Sequence, residues 1–397
     1  MTRPRSPART LLARAGLAAL ALAAACDEPE APLLSRVAHR AIAAVRVTPG
    51  VAEVPFGDSE QLDADAEDTD GNTTAAAPAR WTSSDTTVVS VASDGVATAR
   101  GFGWATVRAE VEGVVGTGVV EVLGGPRPAS VTVVAAGDIA GCDSRGDEGT
   151  AALVGRIVGA GGATVAPLGD EAYPSGTTSQ FRDCYGPSWG AFRDRSRPAV
   201  GNHEYTTASG APYWDYFGPA AGARGEGWYS YDLGAWHVVV LNSNCDRVGC
   251  GRGSPQERWL RADLALHPAA CTLAYWHHPR FNSGQTHGSD AAVGAFWDAL
   301  YDHGVELVLD AHEHVYERFA PQTPAGRADA ARGVRQITVG TGGKSLGRLG
   351  VRKANSERFD ASVSGVLKLT LAEGSYAWAF VPVAPGAFRD SGTGTCH

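Results

Sequence analysis

Val305-Glu306-Leu307-Val308-Leu309-Asp310-Ala311-His312-Glu313-His314-Val315-Tyr316-Glu317-Arg318 is the stretch that decides the fold. An apolar run ends abruptly in two histidines spaced i, i+2, and in extended backbone that spacing turns both imidazoles to one side. Two ring nitrogens then converge on one point. Four other apolar runs also end in side chains that bind metals. Asp138 follows Val131 to Ala136, Asp170 follows Ala163 to Leu168, Asn202 and His203 follow Pro198-Ala199-Val200-Gly201, and His277 and His278 follow Leu273 to Trp276. A Gly-Asp after a strand is usually only a turn, and a lone histidine at a strand end is usually structural. Five such sites in one order, mostly with a glycine just ahead, point instead to a scaffold for two metal ions.

Around these sites, β-branched runs alternate with helix-like stretches, the pattern of an α/β core. Strands are expected at Val131 to Ala136, Ala163 to Leu168, Trp236 to Leu241, Thr272 to Trp276, Val305 to Leu309, Arg335 to Val339 and Val366 to Leu371. Helices are expected at Thr150 to Val158, Pro255 to Leu264 and Ala291 to His303. In open α/β sheets the ligand crevice lies beyond the carboxyl ends of the strands, which is where the candidate ligands fall.

The N-terminal part reads differently. From Val45 to Val122, short β-prone runs alternate with Gly and Asp turns: Val45–Val47, Ser59–Leu62, Ala79–Ser83, Val88–Val91, Gly95–Ala99, Ala105–Ala109 and Val119–Val122. Such spacing suggests a small antiparallel sandwich. The run from Trp81 through Val88-Val89-Ser90-Val91 to Asp94-Gly95-Val96 resembles the bacterial immunoglobulin-like group 2 domain. No cluster of polar side chains there would do chemistry, so the domain is expected to be a spacer or an adhesive module.

Arg3, Arg5, Arg9 and Arg14 precede an Ala/Leu run from Ala15 to Ala25, a basic and then apolar layout that matches a secretory signal. It ends in Ala23-Ala24-Ala25-Cys26, which resembles a bacterial lipoprotein cleavage site with lipidation at Cys26, although Leu22 falls one place earlier than in the commonest pattern. The expected layout is a signal peptide at 1–25, a tether at 26–40, the immunoglobulin-like domain at 41–123, a Gly/Pro linker at 124–129 and the α/β domain at 130–397. The expected location is outside the cytoplasm, in the bacterial cell envelope as a lipoprotein or secreted. Six further cysteines in an exported chain argue for disulfides. Cys245 and Cys250 flank a short loop and are the expected pair; Cys142, Cys184, Cys271 and Cys396 permit three pairings. The formal charge of −9 disfavours a partner gripped by nucleic-acid phosphates, nucleotide substrates aside.

Residues 130 to 397 resemble the metallophosphoesterase superfamily, and within it the purple acid phosphatase-like branch. The motifs are Gly137-Asp138, Gly169-Asp170-x-x-Tyr173, Gly201-Asn202-His203-Glu204, His277 with Pro279, and His312-x-His314. Most of the superfamily has a histidine two residues after the first Asp; here that position is Ala140, and Tyr173 offers a phenolate instead. The resemblance implies a four-layer αββα sandwich and two metals. Asp138, Asp170, Tyr173 and His314 would hold iron(III), and Asp170, Asn202, His277 and His312 a divalent zinc, iron or manganese, with Asp170 bridging. It further implies hydrolysis of small-molecule phosphate monoesters by attack of a metal-bound hydroxide. His203 and His287 would contact phosphate or protonate the leaving group. The alternatives are a phosphodiesterase or nucleotide hydrolase on the same core, and a surface-binding protein with a degenerate catalytic domain.

One residue departs from the pattern: the position before the first His of the last motif is usually Gly and here is Ala311, which would carry roughly 1 kcal/mol of strain at positive φ. Of the remaining side chains, Asp310 is expected to be a solvated charge rather than a partner for an imidazole, and His237 is expected to be structural. His278 is either packed or supports a ligand. Arg318 either reaches substrate or pairs with a buried acid. Residues 205–226 are a candidate substrate-selecting loop.

Overall fold

The computed structural model describes residues 41–74, 78–125, 128–160, 162–269 and 271–397. The expected signal segment, Cys26 and the tether lie outside the described residues. Among the described residues, no helix is long and apolar enough to cross a membrane.

Alternation with a period of two builds the N-terminal unit. Val45 and Val47 on Ile42–Thr48, Ala52 and Val54 on Val51–Pro55, Val107 and Ala109 on Gly103–Val111, and Val120 and Val122 on Val114–Leu123 all enter one core. The expectation of a purely antiparallel sandwich needs correction, because Val51–Pro55 runs parallel to Val119–Leu123. Pro49-Gly50 breaks the first strand, and the chain beyond it crosses to the other sheet, where it lies alongside the last strand. The strand Asp63–Asp68 escapes a hydrophobicity reading because it buries only Ala64 and Ala66 between acidic residues.

Two sheets face each other in the rest of the chain. The first has the order Thr164–Pro167, Ser130–Ala136, Gly365–Ala372, Ser375–Pro382, Asp390–Thr395. The second runs Tyr229–Leu233, Trp236–Val240, Cys271–Tyr275, Leu307–Asp310, Arg335–Val339, Tyr316–Phe319, Ser356–Asp360. Val238 and Val240 point into the core between the sheets, whereas Val239 and Leu241 point to the outer helices. Burial on both faces explains why this strand reads as an unbroken apolar run. Gly146–Gly159 covers the first sheet with Leu153 and Val154. Pro255–Leu266 starts at Ser254, whose hydroxyl accepts from the Glu257 amide, with Pro255 in the first turn. Its Leu260 and Leu264 pack with Phe296, Trp297 and Leu300 of Gly294–Asp302 over the second sheet. The layers are therefore α, β, β, α.

The two parts of the chain are fastened together. The Arg197 guanidinium lies 3.9 Å from the Trp104 ring centroid, the Asp232 amide donates to Glu121 at 3.0 Å, and Arg108 is ion-paired with Asp194. Cys245 pairs with Cys250; the pairings left open by the sequence are Cys142–Cys184 and Cys271–Cys396. Arg318 pairs with the buried acid Asp390 at 2.6 Å, where Tyr316 and Trp378 also donate. Asp310 is not a solvated charge: it is fully buried at a strand end and accepts from the Thr338 hydroxyl.

Candidate metal centre

Three of the strands deliver their polar residue through a left-handed turn. Asp138, Asp170 and His312 all have positive φ, at 59°, 53° and 66°. The strain expected at Ala311 therefore falls one residue later, on His312 itself. Only glycine fits at 201, because a β-carbon there would sit 2.2 Å from Asp170 Oδ1. The loops can thus approach until their side chains touch.

The contacts form two overlapping groups. Tyr173 OH lies 2.7 Å from Asp138 Oδ1, 2.9 Å from Asp170 Oδ2 and 3.2 Å from His314 Nε2. On the other side, His277 Nε2 lies 3.3 Å from the same Asp170 Oδ2 and 3.2 Å from His312 Nδ1. Asp170 Oδ2 is common to both groups. Its other oxygen is held by the His203 amide at 2.9 Å. Carbonyl oxygens fix the histidine tautomers: His277 Nδ1 faces Leu168 O at 2.8 Å and His314 Nδ1 faces Ser345 O at 2.6 Å, leaving each Nε2 aimed inward.

Two acceptors in the site suit cation ligands. Asp138 Oδ2 and Asn202 Oδ1 are buried and accept no hydrogen bond, a costly state unless a ligand completes them. Burial alone would raise the Asp138 and Asp170 carboxyls, but His314 holds Asp138 low and His277 holds Asp170 far below the usual carboxylate range. Burial likewise opposes charge on His277 and His314, yet Asp170 and Asp138 raise each to about 9. Burial and the neighbouring His277 push His312 far down, so its ring stays neutral with a lone pair available. The donor set of carboxylate, phenol, amide and imidazole fits two metal ions.

The candidate acid–base residues stand at the rim. The His203 ring packs 4.4 Å from Tyr173 with its Nδ1 on Pro174 O at 2.6 Å. The exposed His287 ring lies 4.1 Å from His312. His278 is oriented by Ser243, whose hydroxyl lies 2.8 Å from His278 Nδ1, and burial and then His277 lower it to about 3. Its ring sits 4.3 Å from that of His312, so it borders the site as a support.

Three further contributors were not singled out from the sequence. Glu204 accepts from the amides of Asp170, Glu171, Ala172 and Gly201 and ties two ligand loops together. Glu313, between the two metal-motif histidines, accepts from the amides of Thr286, His287 and Gly288 and so pins the His287 loop. Ser243 follows the strand Trp236–Val240 in the polar run Asn242-Ser243-Asn244, a strand-end signal of the same kind as the others.

Comparison with known proteins bears on the family and the fold. The calcineurin-like phosphoesterase family profile matches residues 131–316. Purple acid phosphatase 18 of Arabidopsis thaliana is 31% identical over 132 residues, 32% of this chain and 29% of that protein. Acid phosphatase A of Cryphonectria parasitica is 28% identical over 193 residues, 42% of this chain and 38% of that protein. The matched region thus spans only about a third of these curated relatives. Among solved structures, the purple acid phosphatase PPD1 of yellow lupin seeds superposes with a TM-score of 0.64 at 17% identity, covering 89% of this chain and 74% of that one. PhoD superposes at 0.52 and 12% identity, covering 89% and 90%. These structural likenesses speak for the fold.

Proposed function

From the premise that this chain carries a calcineurin-like phosphoesterase domain with purple acid phosphatases among its relatives, we propose that it is an exported binuclear-metal hydrolase of phosphate monoesters. The observation that carries the reading is the position of Asp170 Oδ2, 2.9 Å from Tyr173 OH and 3.3 Å from His277 Nε2. One carboxylate oxygen lies between two donor sets, so Asp170 would be the ligand that both metals share and would offset their repulsion. Asp138, Tyr173 and His314 complete the set suited to iron(III), and Asn202, His277 and His312 the set suited to divalent zinc, iron or manganese. Bound metals would supply an activated water and screen the charge of the phosphoryl oxygens.

The chain's own residues do the rest. His203 and His287, on opposite sides of the ligand cluster, contact the phosphoryl group and carry the proton to the leaving oxygen. The Pro174 carbonyl orients the first, and Glu313 fixes the loop of the second. Three disulfides support an oxidising compartment, and Cys26 is the proposed lipid anchor to the envelope membrane. The test is metal analysis of purified protein with parallel assays on p-nitrophenyl phosphate and its bis-ester. Two metals per chain and preferential monoester turnover, lost in Asp170→Asn, are expected. Faster bis-ester turnover would make the enzyme a diesterase, and unchanged activity in Asp170→Asn would remove the catalytic role altogether.

A further inference from the structure

The stretch from Gly340 to Ser356 contains Lys344, Arg348, Arg352 and Lys353 and no acidic residue, in a chain whose formal charge is −9. It is stitched to the metal centre through its backbone. The Lys344 amide donates to Asp138 O at 2.9 Å, and Ser345 O and the Gly347 amide bracket His314 at 2.6 and 2.8 Å. Farther along, the Gln285 amide donates to Arg348 O at 3.1 Å, the Gly350 amide to Ser283 O at 2.9 Å, and the Lys353 amide to Ser283 Oγ at 2.8 Å. Arg348 consequently stands opposite Gln285, two residues from His287. Lys344 Nζ lies 5.2 Å from the Tyr173 ring, paired with Asp143. Arg348, Arg352 and Lys353 are exposed, and of the three Arg352 is attracted by the Glu317 carboxylate.

Like charges gathered on one loop repel one another, Glu317 offsetting only Arg352, and beside the metal centre they concentrate anions there. These cations lie outside the ligand set that would take the scissile phosphoryl group, which leaves them free to act on whatever else the substrate carries. We propose that Arg348, Arg352 and Lys353 form a specificity surface for phosphoesters bearing a second phosphate or comparable anionic group. This rests on the phosphoesterase reading above and adds the substrate class. The exposed Leu349 and Val351 give the loop a small apolar edge, but two side chains on a pinned backbone bury too little to favour a lipid surface over a soluble polyanion.

The test compares fructose 1,6-bisphosphate with fructose 6-phosphate on the full, metal-loaded chain, by calorimetric binding and by hydrolysis. Wild type is expected to bind the bisphosphate about tenfold more tightly, a gap that shrinks as salt rises. Replacing Arg348, Arg352 and Lys353 together by Ala should close the gap, and Arg348→Lys with Arg352→Lys should retain it. Equal affinities in wild type, or a gap that survives the triple substitution, would overturn the proposal. So would capture by phosphatidylglycerol vesicles without bisphosphate preference, which would assign the loop to a membrane. Preferential binding without hydrolysis of either ester would leave this surface standing and remove the enzymatic reading.

Discussion

Gly137 and Ala311 compete for one space: a β-carbon built on Gly137 falls 2.5 Å from the Ala311 methyl, and 3.0 and 3.1 Å from the carbonyl oxygens of Leu168 and Gly169. Two ligand turns, those of Asp138 and His312, are thereby packed against each other. Gly137→Ala should cost about 2–3 kcal/mol, as overpacking of a rigid site does. Ala311→Gly in the same chain should return part of that loss. Urea unfolding of the two single variants and the double variant measures the coupling; strictly additive effects would mean that the turns are independent.

Glu204 is predicted to matter as much as the metal ligands, although it binds only their backbone. Its Oε2 accepts from the amides of Asp170 and Gly201, both at 3.0 Å, and its Oε1 from Glu171 and Ala172 at 3.0 and 3.3 Å. Glu204→Gln turns an NH2 group toward two N–H donors, so about 2–4 kcal/mol of stability should go, with two buried donors left unpaired. Metal affinity should fall with it, because the turns of Asp170 and Asn202 lose their common tie. A Gln variant that binds metal and unfolds like wild type would refute this role.

The strand-end residues were legible because an apolar run that stops at Asp, Asn or His marks both a buried strand and the sheet edge where ligands gather. Five of the seven strands anticipated in the α/β part end this way; Arg335–Val339 and Gly365–Ala372 were anticipated from their apolar runs alone. Tyr316–Phe319 and Ser356–Asp360 were not, since Glu317 and Arg318 are charged residues buried by specific partners, Ser283 and Asp390, distant in sequence. Asp310 was misjudged on the same ground: its burial depends on Thr338 in the neighbouring strand. Glu204 stands in the Gly201-Asn202-His203-Glu204 motif, but its role, like that of Glu313, is to accept backbone amides from other loops, which the motif does not disclose.

Tyr173 is the one donor in the site whose loss should be visible. Burial and the carboxylates of Asp138 and Asp170 keep its hydroxyl protonated in the metal-free chain, so only a strongly acidic cation such as iron(III) would bind it as phenolate. The loaded protein should carry a visible charge-transfer band that Tyr173→Phe abolishes while the fold is retained. Absorption spectra recorded beside iron analysis check this; colour that persists in the Phe variant would place iron on other ligands.

His237 sets a pH dependence of stability independent of the metals. It is buried between Asp232 at 3.0 Å on Nδ1 and Asp263 at 2.8 Å on Nε2. His267 stacks on it at 4.6 Å with an interplanar angle of 13°. Near-parallel stacked rings cannot both aim a lone pair at one ion, so the cluster is an ion-paired imidazolium and not a third metal seat. Burial opposes the charge, but the two carboxylates lift His237 from 6.5 to about 9. A folded pKa above the unfolded one stabilises fully below pH 6.5, and the contribution disappears as pH rises through 9. The shift corresponds to roughly 3 kcal/mol, and about 2 is expected because the Asp232 side chain is 43% exposed and screened. His237→Gln, which has no proton to lose in this range, should be less stable at pH 6 and show a flatter profile up to pH 9. Unfolding free energies of both proteins across that interval decide it, and parallel profiles would show that His237 is neutral in the folded chain.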